Sequence, residues 1–321
     1  MSVLSKPYMH DEAAAFEHVE NMLWPEGPVC PHCGCTGRIY ALKGVRSKPS
    51  KKNPEGAERH GLKKCGDCRK QFTVRIGTIF EESHIPLHKW MQAIHLMVSS
   101  KKGISSHQLH RVLEITHKSA WFLSHRIREA MRNDDLPEFG SGGGVVEVDE
   151  TFIGNDRNVK PKHTKKGRGY AHKHKVLALV DRASGRAKSI VVDDLKTTTL
   201  MPILMENIAS EAVVFTDEAG QYRSLGDVFD THDFVRRGKG EYGRGDVHTN
   251  TIEGYFSIFK RGMKGMYQHC AKKHLHRYAA EFEFRYNHRI ANGTDDAERA
   301  SIALKSVTGK RLTYERAGGI A

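Results

Sequence analysis

At 321 residues the chain is long enough for two or three domains with a substantial buried core. Its 51 Lys and Arg against 38 Asp and Glu leave a net charge of +13, and 38% hydrophobic with 28% charged residues excludes both a disordered acidic chain and a membrane bundle. No stretch reaches the roughly 18 consecutive apolar residues that cross a bilayer, and the opening MSVLSKPYMHDEAAAF lacks the apolar segment of a secretory signal. A cytoplasmic protein with an anionic partner is expected, nucleic acid first among the candidates, although charge alone fits a solvated basic surface equally well.

In chain order, residues 11–24 place apolar side chains at helical spacing, and Trp24-Pro25 ends the helix. Two Cys-x-x-Cys pairs follow, Cys30/Cys33 and Cys65/Cys68, separated by 31 residues. Each pair is a knuckle from which two thiolates converge on one tetrahedral zinc. Short strands are expected at 37–40 and 71–74, which gives a zinc ribbon, a module whose metal supplies the stability its small core cannot. Cys35 is close enough to the first knuckle to exchange with Cys33, and Cys270 stands alone as a buried structural thiol. Residues 43–64, with Arg46, Lys48, Lys51, Lys52, Arg59 and Lys63, are expected as a mobile basic loop along a phosphate backbone.

From Pro86 to about residue 133 the chain is helical. Trp90, Ile94, Met97 and Val98 form an apolar stripe, and two shorter helices, 104–113 and 116–131, resemble a helix-turn-helix. His117, Lys118 and Ser119 then open a recognition helix; an ordinary three-helix bundle is the alternative. Asp134 through Gly144 has the composition of a linker.

Beyond it the pattern turns to strands at 145–152, 175–181 and 187–192, a helix at 199–208, and a strand at 212–217. A helix and a short strand come next, then helices from about Thr249. That order is that of an RNase H-like fold. Asp149 and Asp217 are expected at strand ends. In the helix at 249–264, Asn250, Glu253, Ser257 and Lys260 share one face, while Ile252, Phe256, Phe259 and Met263 form the face that enters the core. Three converging carboxylates make an oxygen-only site for two Mg²⁺ or Mn²⁺ ions and phosphodiester chemistry. Taken singly, each acid has an ordinary explanation as a turn cap or a solvated charge.

The expected fold class is thus multidomain α+β: an N-terminal zinc ribbon and a helix-turn-helix-like segment, then an RNase H-like α/β catalytic domain. The boundaries are 1–84 for the first helix and ribbon, 85–135 for the helical segment and 136–144 for the linker. The catalytic domain spans 145–295, with a C-terminal helix and tail at 296–321.

The stretches CPHC, CGDCRKQFTVRIGTIFEESHIPLHKW, VEVDETFIG, VFTDEAGQY, GDVHTNTIEGYFSIFKRGMKG and HLHRYAAEFEFRYNHR together resemble the zinc-ribbon-bearing, ISXO2-like insertion-sequence transposases of the DDE class, over almost the whole chain. The resemblance implies a Mg²⁺-dependent transposase acting on double-stranded DNA, both terminal inverted repeats and target, as at least a homodimer. It makes Asp149 and Asp217 the first two catalytic acids and Glu253, with 35 residues between it and Asp217, the third. Lys260 matches a phosphate-holding residue. Asn250 is the alternative third position, because some relatives carry an asparagine there, and His248 either orients water or is structural. A same-fold nuclease or resolvase, or a non-enzymatic zinc-ribbon regulator, is the rival reading.

The basic excess is concentrated. Residues 43–70 carry ten Lys/Arg and three acids, 101–132 seven and two, 157–175 eight and none, and 260–277 six and none. If these blocks face one side they mark a path for extended duplex DNA.

Overall fold

The computed structural model describes residues 2–313 except positions 52, 134, 157–158, 161–162, 165–166 and 169. Much of the expected basic block at 157–175 and part of the expected C-terminal tail therefore lie outside the described residues. The chain divides into two compact units. One comprises Met1–Ser100, Ile104–Met131 and Asp296–Ala321; the other comprises Lys101–Gly103 and Arg132–Asp295.

The first unit opens with helix α1 (Glu12–Leu23), started by the Asp11 carboxylate, which accepts the Ala14 N–H at 2.8 Å. A three-stranded antiparallel ribbon follows, β1 (Ile39–Ala41), β2 (Lys63–Cys65) and β3 (Gln71–Phe72), in that spatial order. Its core is small: Cys30, Cys65 and Phe72, with Trp24 and Ile76 packed against them. Strand β2 is not expected from the sequence, because its adjacent lysines, Lys63 and Lys64, carry no apolar signal. The segment before it is not the loose loop expected either. Ser47 N–H donates to Ala57 O at 2.7 Å and Arg59 N–H to Val45 O at 2.8 Å, closing it as a hairpin. Lys63, expected to face phosphate, is instead buried, ion-paired to Glu20 at 2.6 Å with its ammonium 5.5 Å from the Trp24 ring centroid.

Helix α2 (Leu87–Ser99) starts at Pro86 and buries the expected Trp90, Ile94, Met97 and Val98. Helices α3 (Ser106–Leu113) and α4 (His117–Met131) are joined by a turn in which Glu114 takes φ +51°. Thr116 Oγ1 accepts the Ser119 N–H at 3.2 Å and starts α4, leaving His117 and Lys118 exposed on its first turn. Not all of this segment's charge faces water. Arg126 and Arg128 are buried, and Arg126 donates to the carbonyls of Ile79 at 2.8 Å and Glu81 at 2.7 Å. The helix Asp296–Lys305 packs against α2 in the same unit, with Arg299 donating to Val98 O at 3.0 Å.

The second unit is built on a five-stranded sheet. Its strands are β4 (Val145–Ile153), β7 (His174–Asp181), β8 (Arg186–Val192), β9 (Val213–Asp217) and β10 (Thr231–Val235), in the order β10-β9-β4-β7-β8; a two-residue hairpin, β5 (His163–Thr164) and β6 (Gly167–Arg168), intervenes after β4. β4 runs antiparallel to β7 and parallel to β9, β7 antiparallel to β8, and β9 parallel to β10. Strand periodicity sends Val146, Val148, Leu177, Leu179 and Val214 to one face, where they meet Leu200 and Leu204 of helix α5 (Thr197–Asn207). Val176, Ala178 and Val180 go to the other face, against Ile252, Tyr255, Phe256 and Phe259 of helix α6 (Asn250–Gly262) and Leu275 and Phe282 of helix α7 (Lys272–Asn287). A short hairpin, β11 (Gly243–Arg244) and β12 (Val247–His248), leads into α6. Burying each of Ile252, Phe256 and Phe259 contributes about 1.5–3 kcal/mol, so the apolar stripe fixes the rotation of α6 and with it the direction of its polar face. This is the mixed, helix-flanked sheet of an RNase H-like domain.

Two local expectations fail. No α-helix lies between β9 and β10; the short 3₁₀ turns Gly220–Tyr222 and Leu225–Asp227 stand there, because Gly220 and Gly226 break the helical run. The glycine-rich segment expected as a free linker is docked within its own unit: Phe139 is buried and exchanges backbone hydrogen bonds of 2.9 Å with Asn207 and Ala209. Gly140, at φ +75°, has Ala212 Cβ only 2.5 Å from where its own Cβ would stand, so no larger residue fits. Among the described residues no helix is long and apolar enough to cross a membrane.

Candidate active site

Asp149 does not lie at a strand end. β4 continues four residues beyond it to Ile153, because Thr151 and Ile153 keep pairing with β7. β9, by contrast, stops at Asp217. The parallel β4–β9 pairing ends at Glu147 and Phe215, and two residues further along each strand, on the face toward α6, come Asp149 and Asp217. Glu253, in the first turn of α6, lines the same cavity of about 910 Å³, as do Ser257 and Lys260. Asn250, on the first residue of the helix, is exposed and outside that lining. Cys270, expected as a buried thiol, is half-buried at the cavity wall.

The electrostatics follow from crowding. Burial, then the neighbouring Glu150 carboxylate, push the Asp149 carboxyl up to about 7, with Asp217 adding to the rise; the Glu150 N–H on its Oδ1 at 2.8 Å and the Arg237 guanidinium oppose it. Arg237 is the feature that sequence reasoning missed. From the loop after β10 it ion-pairs with Glu253, approaches Asp149 Oδ2 at 3.8 Å and donates to Thr249 Oγ1 at 2.6 Å. Lys260 also faces the acids, its ammonium 5.5 Å from the Phe256 ring centroid and held below the usual lysine range by burial. Glu150 points to the opposite sheet face, where Tyr222 Oη donates to it at 2.5 Å and Gln221 Nε2 at 3.0 Å. Burial raises its carboxyl as well.

The donor set fits hard divalent cations: carboxylate oxygens, one carboxyl raised by burial and by its acidic neighbours, and room for water. In this arrangement Arg237 supplies the positive charge between Asp149 and Glu253.

A second missed group holds the site together. Glu147, two residues before Asp149 and fully buried, accepts from Arg182 Nε at 2.6 Å and from the Ile252 N–H of α6 at 2.9 Å. Arg182 also donates to the carbonyls of Asp246 and His248, each at 2.8 Å. Glu147 thereby satisfies an orphan N–H at the start of α6 and ties the turn bearing Glu253 to the strand bearing Asp149. His248 belongs to this clamp, its Nδ1 taking Arg182 Nη2 at 2.7 Å, and it does not line the cavity. Glu147 alternating with Asp149 on one strand face and a buried helix N-terminus are the signals the sequence offers.

In the first unit Cys30, Cys33, Cys65 and Cys68 converge, with Sγ–Sγ distances of 3.7 Å for Cys30–Cys68 and 3.6 Å for Cys33–Cys65. A tetrahedral zinc with bonds of about 2.3 Å sets its thiolates about 3.8 Å apart, so the cluster fits a structural zinc. The backbone N–H of Cys68 is the main influence drawing the Cys65 thiol down to about 6, the thiolate form a metal needs. Cys35 lies with Cys65 and Asp67 in a second, overlapping group, and Asp67 is ion-paired to Arg38.

Fold and sites together define a zinc-ribbon protein with an RNase H-like domain. Residues 142–287 match the ISXO2-like transposase domain and residues 10–71 the transposase zinc-ribbon domain, and the chain belongs to this insertion-sequence transposase family. It is 27% identical over 288 residues to an uncharacterized protein in transposable element ISH50 of Halobacterium salinarum, covering 85% of this chain and 90% of the relative. A chain from the cryo-EM structure of a simian T-cell lymphotropic virus intasome with PP2A regulatory subunit B56 gamma aligns over 55% of this chain at 11% identity and a TM-score of 0.27; the alignment spans 63% of that chain. A likeness this slight carries no argument.

Proposed function

We propose that this protein is a DDE transposase that binds the terminal inverted repeats of an insertion sequence, hydrolyses a phosphodiester there and joins the freed 3′-hydroxyl to target duplex DNA. The observation that carries the reading is the meeting of Asp149, Asp217 and Glu253 around one open cavity whose other charged lining residues are the cations Lys173, Arg237, Lys260 and Lys264, suited to phosphate, and the carboxylate Glu150, which is taken up by Tyr222 and Gln221. Asp149, Asp217 and Glu253 would hold Mg²⁺ or Mn²⁺, which activates the attacking hydroxyl and stabilises the leaving oxygen. Lys260 and Arg237 bind the non-bridging phosphate oxygens and orient the scissile bond for in-line attack. In the first step water's oxygen bonds to phosphorus and the 3′ oxygen leaves with a proton. In the second the 3′-hydroxyl replaces a target 3′ oxygen, so the number of phosphodiester bonds is conserved and no nucleotide cofactor is required. Asn250, outside the cavity, plays no metal-binding part in this reading.

The zinc ribbon and the α3–α4 pair are assigned to end recognition, with exposed His117 and Lys118 at the start of the recognition helix. Joining two element ends calls for at least a dimer, and the DNA substrate places the protein in the cytoplasm. Asp149→Asn and Asp217→Asn should retain binding to the inverted repeats while losing Mg²⁺-dependent cleavage and joining. Cleavage without joining by the unaltered protein would point to a nuclease instead.

A further inference from the structure

A second cavity of about 370 Å³ opens on the other side of Asp217, which lines both. Its walls carry three cations, Arg223, Arg236 and Lys239, all exposed, together with Phe234 and His232. The Arg236 guanidinium lies over the Phe234 ring, 5.5 Å from its centroid. His232 is turned inward, its Nε2 at 2.9 Å from Thr216 Oγ1, and burial holds it below the usual histidine range, so it adds a flat, neutral ring at pH 7. Besides Asp217, the one carboxylate of this lining is Glu218, and its Oε1 already accepts the Gly238 N–H at 2.8 Å, which pins the loop that carries Arg236 and Lys239.

Cations around an aromatic platform are the chemistry of a nucleotide outside the double helix: the base stacks on Phe234 and Arg236, and the phosphate meets Arg223 and Lys239. A base still paired in duplex cannot enter a recess of this size; it must leave the stack first. The shared Asp217 sets the direction, because a strand whose scissile phosphate sits in the larger cavity continues past Asp217 into the smaller one. We propose that this second cavity is a subsite for an unpaired deoxynucleotide next to the scissile phosphate. The subsite rests on the transposase reading given above.

The test compares the affinities of the full-length protein, in EDTA, for fluorescein-labelled oligothymidylate and for a short duplex of arbitrary sequence. Removing divalent ions separates the subsite from catalysis, and the readout is the ratio of the two affinities. Phe234→Ala should weaken oligothymidylate binding about tenfold, the loss of one stacked base, with duplex binding changed less than about twofold. Phe234 is half-buried, so Arg223→Gln and Lys239→Gln, at exposed positions, give a second measure: each should lower the salt slope for oligothymidylate by about 0.7. An unchanged ratio in all three variants, or equal losses on both probes, would overturn the subsite. Failure of the transposase reading shows separately, as absence of Mg²⁺-dependent joining by the unaltered protein.

Discussion

Replacing Glu147 with Ala removes a carboxylate with no solvent exposure that accepts from Arg182 at 2.6 Å and from the Ile252 N–H at 2.9 Å. Breaking a buried ion pair from one side costs about 3–5 kcal/mol, because the partner charge and the N–H are left without compensation. Arg182 keeps its bonds to two backbone carbonyls and is partly exposed, which favours the lower half of that range. For a folding unit of this size the loss lowers the melting temperature by on the order of 10 °C. Glu147→Gln keeps an oxygen for Ile252 N–H and should lose about half as much. Thermal unfolding of the full chain followed by circular dichroism measures both, and hydrogen exchange at the Ile252 amide reports the freed helix end. A Glu147→Ala protein within about 0.5 kcal/mol of the parent, with Ile252 still protected, would refute the clamp.

In EDTA, the raised Asp149 carboxyl makes the native state bind a proton that the unfolded chain, with its ordinary value of 3.8, releases earlier. Its stabilising contribution is therefore full below about pH 4 and lost as pH rises to about 7, at most about 4 kcal/mol. Asp149→Asn should flatten that decline and be the more stable protein above pH 7 in urea melts; an unchanged pH profile contradicts the assignment. Because Arg237 supplies the positive charge between Asp149 and Glu253, Arg237→Gln should tighten Mn²⁺ binding several-fold, measured by calorimetry without DNA; weaker binding would mean that Arg237 helps to build the metal site. Mercurial titration of the thiols should release one zinc per chain and lower the ribbon's melting temperature, and Cys65→Ser should release none; equal zinc content in that variant would displace Cys65 from the cluster.

Where burial and periodicity coincide, the sequence was sufficient. The apolar stripe of α6 buries Ile252, Phe256 and Phe259, and Met263 just past its end, as the spacing demands, and the two Cys-x-x-Cys knuckles meet because a zinc ribbon has few other ways to pack. Strand β2 escaped notice because Lys63 and Lys64 carry no hydrophobic signal, and its buried lysine is legible only once Glu20 and Trp24 stand beside it. The acidic pair Asp149-Glu150 interrupts the apolar run and so reads as a strand end; pairing with β7 continues regardless, since backbone hydrogen bonds are indifferent to the side chains. Charge totals likewise cannot distinguish a solvated arginine from Arg126 or Arg128, which are spent inside the first unit. Arg237 and Glu147 act through contacts with residues far along the chain, and no local pattern announces such partners.

The central claim is best tested by incubating the purified protein with a labelled, pre-cut oligonucleotide carrying the repeat that flanks its gene, a supercoiled plasmid and Mg²⁺. Plasmid-joined label should form with the unaltered protein, vanish in EDTA and be absent with Asp149→Asn or Asp217→Asn, while both variants still shift the oligonucleotide in a gel. Joining that persists in either variant would contradict the account.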